Sequence, residues 1–384
     1  MIRRDLPCAA ALALALAAWG CGAEFKLPTE HRENRTTPSD GSYQMIATWR
    51  GLTGVTDVLL IPGPPLFLAF DGNPGAVYEF STTQPLPLAL GRFQGLLHPA
   101  ALAASPASVF VLDQGDTAAA RAFRDPNWYE LDCGPMLGVN RPVVDLSKYW
   151  YVREYDLKGK TLKSSFTDTT VAWVNGVAAD AQGRVYVSGI IMHCFVDRFD
   201  ERLRTLVHEY RIYRYEPGTG DRYVIWSGAP VGWRRDRSFE LAEGTGIGST
   251  HDPRRMAFSA VTGPALFFAD YGNDEVQKYG LPGTLASSFK LDICDKDTTL
   301  LVRPIDVGVD DVGDVYVVDA GNRRVLRYDS EGRHCVQRVD LEPNTLGLHL
   351  TGPTAVAAGV IDGEDHAFVV DAAVNQVVHY RRRK

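Results

Sequence analysis

Gly313-Asp-Val-Tyr-Val-Val-Asp-Ala-Gly-Asn-Arg-Arg-Val-Leu-Arg-Tyr-Asp329 decides how this chain is read, because imperfect copies of it recur. Pro264–Tyr279, Asp365–Tyr380 and Pro65–Phe80 follow the same plan. In each copy an Asp (Asp319, Asp270, Asp371 and Asp71) is followed by Val six residues later and by Tyr or Phe nine later. Apolar residues alternate up to the Asp, and that period belongs to a strand and not to a helix. The Asp, Asn and Gly that follow suit a tight turn, since they tolerate positive φ and bond their own backbone. Each copy therefore reads as a β-hairpin. A further run precedes the hairpin at Thr53–Leu60, Arg303–Asp310 and Thr351–Ala358, and a fourth follows at Arg333–Val339. Units of four short antiparallel strands, repeated along a chain, describe the blades of a β-propeller.

Two more units are degenerate. Val109–Asp113 opens one, with its return strand delayed to Tyr151–Asp156. Gly183–Gly189 opens the other, with Gly189 in the place of the Asp and Tyr210–Tyr215 as the return strand. The expectation is an all-β, six-bladed propeller over residues 43–384. The last unit stops after its third strand, at Gln376–Arg383, while Tyr43–Trp49 is a β-like run without a unit. An unpaired edge exposes a row of backbone donors and acceptors. Tyr43–Trp49 is therefore expected to supply the missing outer strand and close the ring.

The repeat resembles the NHL-repeat family of propellers, whose core reads apolar-Tyr-Val-x-Asp-x-x-Asn-x-Arg-Val-x-x-Phe/Tyr. Asp319, Asn322, Arg324, Val325 and Tyr328 match that pattern fully, and Asp270, Asn273, Val276 and Tyr279 match it without the Arg. The resemblance covers most of the chain after residue 43.

Arg3 and Arg4 precede an apolar run from Leu6 to Trp19, then Gly20-Cys21-Gly22. The run is short for a membrane span and has the layout of a secretory signal. Its end resembles a bacterial lipobox, departing from it at Ala18 and Trp19, and makes Cys21 the expected lipidation site. The organisation expected is a signal peptide over 1–21, a polar tether over 22–42 and an exported, lipid-anchored propeller at the cell envelope. Ordinary signal cleavage near Gly22-Ala23 is the alternative. Cys133, Cys194, Cys294 and Cys335 then remain, an even number that suits disulfides in an exported chain. The blade map favours Cys133 with Cys194 and Cys294 with Cys335.

A formal net charge of −7 and the lack of a basic block before Arg381 speak against nucleic-acid binding. No phosphate loop, nucleophile elbow or His-Glu-x-x-His is present. Propellers bind ligands over the channel on the face where inner strands begin, and here that face is enlarged by insertions near 117–148, 190–209 and 228–249. Loops of that length are more often functional than neutral. Trp128, Tyr129, His193, Asp197, Trp233 and Arg234 are the interaction-face candidates. Aligned inner strands bring Asp57, Arg255 and Asp306 to equivalent positions near the channel, with Asn175, His98 and His251 close by. This ring admits a divalent cation or a small polar ligand. Compared with six-bladed relatives, His98 and His251 resemble lyase metal ligands without the third His, and Asp57, Asn175 and Asp306 loosely resemble a gluconolactonase-type cation site. The reading favoured is a non-enzymatic, monomeric scaffold that engages a protein, peptide or glycan. A metal-dependent lyase or hydrolase at the channel mouth is the alternative.

Overall fold

The computed structural model describes residues 42–61, 66–71, 74–82, 89–115, 150–168, 170–196, 204–219, 221, 224–228, 232–281, 284–289, 300–331, 335–340 and 350–382. Its strands fall into six sheets of four or five antiparallel strands. The first strand, β1 (Tyr43–Arg50), stands apart from the blade that follows it in sequence. Blade 1 is β2 (Val55–Leu60), β3 (Leu66–Phe70), β4 (Gly75–Phe80) and β5 (Ala89–Leu96). Blade 2 is β6 (Pro99–Ala104), β7 (Ser108–Asp113), β8 (Tyr151–Asp156) and β9 (Leu162–Asp168). Blade 3 is β10 (Val171–Ala179), β11 (Val185–Val196) and β12 (Arg204–Pro217). The chain then crosses to the outer edge of blade 2 as β13 (Val224–Gly228) and returns as β14 (Trp233–Ala242). Blade 4 is β15 (Pro253–Ser259), β16 (Ala265–Asp270), β17 (Glu275–Gly280) and β18 (Thr284–Phe289). Blade 5 is β19 (Pro304–Val309), β20 (Val315–Asp319), β21 (Arg324–Tyr328) and β22 (Cys335–Arg338). Blade 6 is β23 (Pro353–Ile361), β24 (Glu364–Asp371) and β25 (Gln376–Arg382), completed by β1. The chain is a six-bladed β-propeller, closed by its N-terminal strand as the repeat implied.

Closure is a full ladder, from Tyr43 opposite Arg382 to Arg50 opposite Gln376. Trp49 packs between the rings of Phe80 in blade 1 and Phe368 in blade 6. At the other end of β1, Tyr43 lies buried with its hydroxyl 2.6 Å from that of Tyr316 in blade 5. Tyr316 donates to Asp310 Oδ2 at 3.1 Å, so the proton between the two phenols comes from Tyr43. Burial pushes the Tyr43 hydroxyl up to about 12. One strand thus fastens three blades.

Apolar side chains gather between blades and not within them. Each of the six hydrophobic clusters joins one adjacent pair, from Phe67, Phe93 and Tyr155 between blades 1 and 2 to Val318, Val356 and Val369 between blades 5 and 6. The repeat's Asp then fixes the loop that enters the inner strand in blades 2, 4, 5 and 6. Asp319 takes the Val302 N–H at 2.8 Å, Asn322 Nδ2 at 2.8 Å and Arg324 Nε at 2.7 Å. Asp270 takes His251 N–H, Asn273 Nδ2 and Gln277 Nε2, and Asp371 takes the N–H groups of Thr351 and Gly352. Gly189 departs from the repeat for a steric reason: a Cβ there would sit 2.4 Å from the Trp173 carbonyl oxygen. Asp71 departs as well, since its carboxylate faces the His98 side chain at 2.5 Å, in the loop entering the inner strand of blade 2 and not of its own blade.

The segment 228–249, expected as a long entry loop, instead contains the outer strand β14 of blade 3. Its Trp233 is a core residue with 2 % exposure and not part of an interaction face. The indole stacks on Phe166 at 4.6 Å and donates to Ser164 Oγ at 3.0 Å. The crossing to β13 explains the error, because it inserts polar turn residues between two genuine strands.

Trp49→Ala should lower unfolding free energy by about 3–5 kcal/mol, the range for emptying a packed aromatic site. Tyr43→Phe should cost only about 1 kcal/mol, the net value of one hydrogen bond. Urea unfolding of the two variants checks both, and equal losses would contradict the division of labour along β1.

Candidate functional site at the ring axis

Every inner strand carries the same irregularity near its start. Pairing with the second strand skips between Val55 and Asp57, Pro99 and Ala101, Val174 and Gly176, Pro253 and Met256, Pro304 and Asp306, and Pro353 and Ala355. A bulge of this kind frees one residue from the ladder and re-aims its neighbours. Asp57, Arg255 and Asp306 occupy these positions in blades 1, 4 and 5.

Arg255 reaches across the axis. Its Nη1 donates to the Thr354 carbonyl at 2.9 Å; its Nη2 donates to the carbonyls of Thr56 and, at 3.1 Å, of Ala100. These acceptors are the bulge residues of blades 6, 1 and 2, none of which adjoins blade 4. The same Nη1 lies 3.1 Å from Asp57 Oδ1 and 3.8 Å from Asp306 Oδ2. Close approach of the backbones is also required beside Arg255: a Cβ at Gly176 would sit 2.4 Å from the Arg254 carbonyl.

The two acids repeat one device. Asp57 accepts the Val58 N–H at 2.9 Å and, from blade 2, the Leu102 N–H at 2.7 Å. Asp306 accepts the Val307 N–H at 2.8 Å and, from blade 6, the Val356 N–H at 2.7 Å. Each carboxylate staples its blade to the next. Burial raises both carboxyl pKa values against the opposing pull of Arg255, and Asp306 is pushed up to about 7 with Asp57 adding to its rise. Below these groups opens a chamber of about 340 Å³, bounded by the remaining lengths of all six inner strands. It faces the end of the ring where inner strands finish. On the other side the Arg255 cluster stands across the axis.

The other sequence candidates do not converge on this cluster. His98 is held by Asp71, and the His251 ring lies 5.4 Å from that of Tyr210. Asn175 donates to Asp252 Oδ1 at 3.2 Å and to the Pro253 carbonyl at 3.1 Å, tying blade 3 to blade 4. Arg234 is exposed and pairs with Glu216. Trp128, Tyr129 and Asp197 lie outside the described residues, as do Cys21, Cys133, Cys294 and the segment 117–148. His193 and Cys194 are described only through the backbone of β11, and Cys335 is partly buried on β22. Neither expected cysteine pairing is established among the described residues. The fit to a divalent cation is poor: among the described residues no three His, Cys, Asp or Glu side chains gather to hold a metal. The guanidinium of Arg255 takes the carbonyls that could otherwise face such an ion.

A second acid motif was not singled out in the sequence. Asp180-Ala-Gln-Gly-Arg-Val-Tyr-Val187 and Asp310-Asp-Val-Gly-Asp-Val-Tyr-Val317 share one spacing. Asp310 accepts the N–H groups of Val312 and Asp314, and Asp180 those of Gln182 and Arg184. The Tyr six residues on returns to each carboxylate, at 3.1 Å for Tyr316 and 3.3 Å for Tyr186. That spacing was a legible signal for the turn joining inner and second strands.

No family model matches the chain, and no curated protein matches it. Among solved structures, the WD40 β-propeller domain of Doa1 aligns over 88 % of this chain and 96 % of that one, at 10 % identity and a TM-score of 0.45.

Arg255→Ala should cost about 3–5 kcal/mol, since it leaves buried carboxylates uncompensated. Ethylguanidinium replaces the atoms removed, so millimolar amounts should raise the variant's melting temperature by more than they raise that of the wild type. Equal effects on both proteins would show that no guanidinium site exists. For Asp306, whose folded pKa lies above its unfolded value of 3.8, the folded state holds a proton that the unfolded state has lost. Its contribution to stability is therefore greatest at acid pH and falls as pH rises toward about 7. The stability deficit of Asp306→Asn against wild type should be largest near about pH 4 and narrow by about pH 8. Chemical denaturation across that range reads it directly, and a deficit that widens would reverse the assignment.

Proposed function

We propose that the chain is an exported, membrane-tethered binding scaffold of NHL type, which engages a protein, peptide or glycan on the face where its inner strands begin. The observation that carries this reading is the β11–β12 ribbon. Its ladder runs on through Met192 opposite His208 to Val196 opposite Arg204. The flanking strands stop earlier, β10 at Ile191 and β14 opposite Arg211. Five residue pairs therefore extend beyond the blade with no further strand on either side among the described residues. A two-stranded ribbon is marginal alone, and its backbone edges suit pairing with an extended partner. In blade 2 the second strand β7 ends, and the third strand β8 begins, on the same face.

The sequence supports the tether through Cys21 at the end of the apolar run, and exported cysteines would be paired as Cys133–Cys194 and Cys294–Cys335. The repeated Asp and Asn are loop and packing groups, which fits a scaffold better than a catalyst. Asp57 and Asp306, the acids of the lyase or hydrolase alternative, are both engaged by backbone N–H groups of two blades.

In cells, wild type should incorporate labelled palmitate and fractionate with membranes, while Cys21→Ser should do neither. Replacing residues 195–205 by Asn-Gly shortens the ribbon but keeps Cys194, and should leave the melting temperature within about 2 °C of wild type. The same change should abolish cross-linking to an envelope component. A shortened protein that keeps its full cross-linking pattern would defeat the ribbon's role, and a palmitate-free wild type would defeat the anchor.

A further inference from the structure

The chamber beneath Arg255 is unlike the outer surfaces of the ring. At about 340 Å³ it falls within the size range of small-molecule sites. Apolar side chains from every blade line it, among them Val58, Ala101, Val177, Ala257, Val307 and Ala357, and polar atoms contribute about as much of its surface. Among the described residues its charged lining is one-sided: Asp57 and Asp306 at the inner end, Asp310 and Asp311 toward the opening, and a single cation, Arg255. That cation is already engaged by three carbonyls and by Asp57. Asp306 is not neutralised to the same degree. Arg255 stands 3.8 Å from it, beyond hydrogen-bonding distance, and each of its oxygens accepts one backbone N–H. A carboxylate has about four acceptor positions, so both oxygens keep room for another donor.

We propose that this chamber binds a small organic monocation, with an ammonium head against Asp306 and a short aliphatic body along the apolar side chains that the six blades contribute. A divalent metal ion suits it less, because such ions take about six or more oxygen ligands and no three His, Cys, Asp or Glu side chains gather to hold one among the described residues. An anion would meet four carboxylates. Burial raises the Asp306 carboxyl and so opposes cation binding at acid pH, whereas a bound ammonium would favour its ionised form. The site is separate from the partner-binding face proposed above, and either can fail without the other.

The test uses the purified full chain and three probes of equal length: n-pentylammonium, pentanoate and pentanol, each followed by titration calorimetry and saturation-transfer NMR. Pentylammonium should bind at one site per chain, about tenfold or more tighter than the other two, as expected for a charge-assisted hydrogen bond. Its affinity should rise between about pH 5 and about pH 8, as Asp306 loses its proton. Ala104→Trp, at the end of an inner strand lining the chamber, should block binding while leaving the melting temperature close to wild type. Asp306→Asn should weaken pentylammonium by about tenfold. If that variant does not fold, the probe series and Ala104→Trp still decide the matter. Equal binding of the three probes, no binding of pentylammonium, or full binding to Ala104→Trp would each overturn the proposal.

Discussion

A propeller must hold six sheets around an axis on which their inner edges have no strand partners. In this chain one guanidinium meets much of that demand. Arg255 leaves blade 4 and gives its hydrogen bonds to the bulge carbonyls of the three blades opposite. Hydrophobic contact between neighbours fixes local spacing, but it carries no information from one side of the ring to the other. The Arg255 contacts do, because each acceptor lies across the axis. Displacing any of blades 1, 2 or 6 would leave a buried cation short of an acceptor, and that penalty is steep in a low-dielectric setting.

The remaining polar groups near the axis act on shorter range. Asp57 and Asp306 each join one blade to the next, as do Asn175 and the Thr56 hydroxyl, which donates to the Pro99 carbonyl at 2.7 Å. The loops entering the inner strands are fixed by the buried Asp that ends the second strand in blades 2, 4, 5 and 6. Blades 1 and 3, where this residue turns outward or is Gly189, rely on other ties. In blade 3, the buried Tyr215 hydroxyl donates at 2.9 Å to Asp168, at the end of the fourth strand β9 of blade 2, and Arg235 pairs with the same carboxylate. Polar groups therefore set the geometry of the ring, and the six apolar clusters supply its cohesion.

Much of this was legible because a blade is local. The period-2 runs, the Asp-to-Val-to-aromatic spacing and the stray strand Tyr43–Trp49 all follow from neighbours along the chain. The alignment of Asp57, Arg255 and Asp306 was legible too, since repeats place equivalent residues at equivalent depths. Their pairing was not. It depends on which bulge carbonyls lie within reach of a long side chain, and that distance is set by ring diameter. Trp233 was misplaced for a related reason. Its sequence neighbours Arg234 and Arg235 look like a surface loop, while its packing partner Phe166 belongs to another blade. The crossing of β13 to the edge of blade 2 has no local signature at all.

The pairing of β1 with β25 also has a consequence in time. Tyr43 and Arg382 meet across almost the whole propeller. The entropy of closing so long a loop grows only logarithmically, so the thermodynamic cost is modest. The kinetic consequence is larger. At about 5–20 residues per second of synthesis, β1 waits on the order of tens of seconds before its partner strand exists. Until then Trp49 and Tyr43 lack their sockets, and the stack of blades has two open ends. The ring cannot form by stepwise addition alone. Its final event is the meeting of two distant strands, and a chain held open until that moment remains threadable.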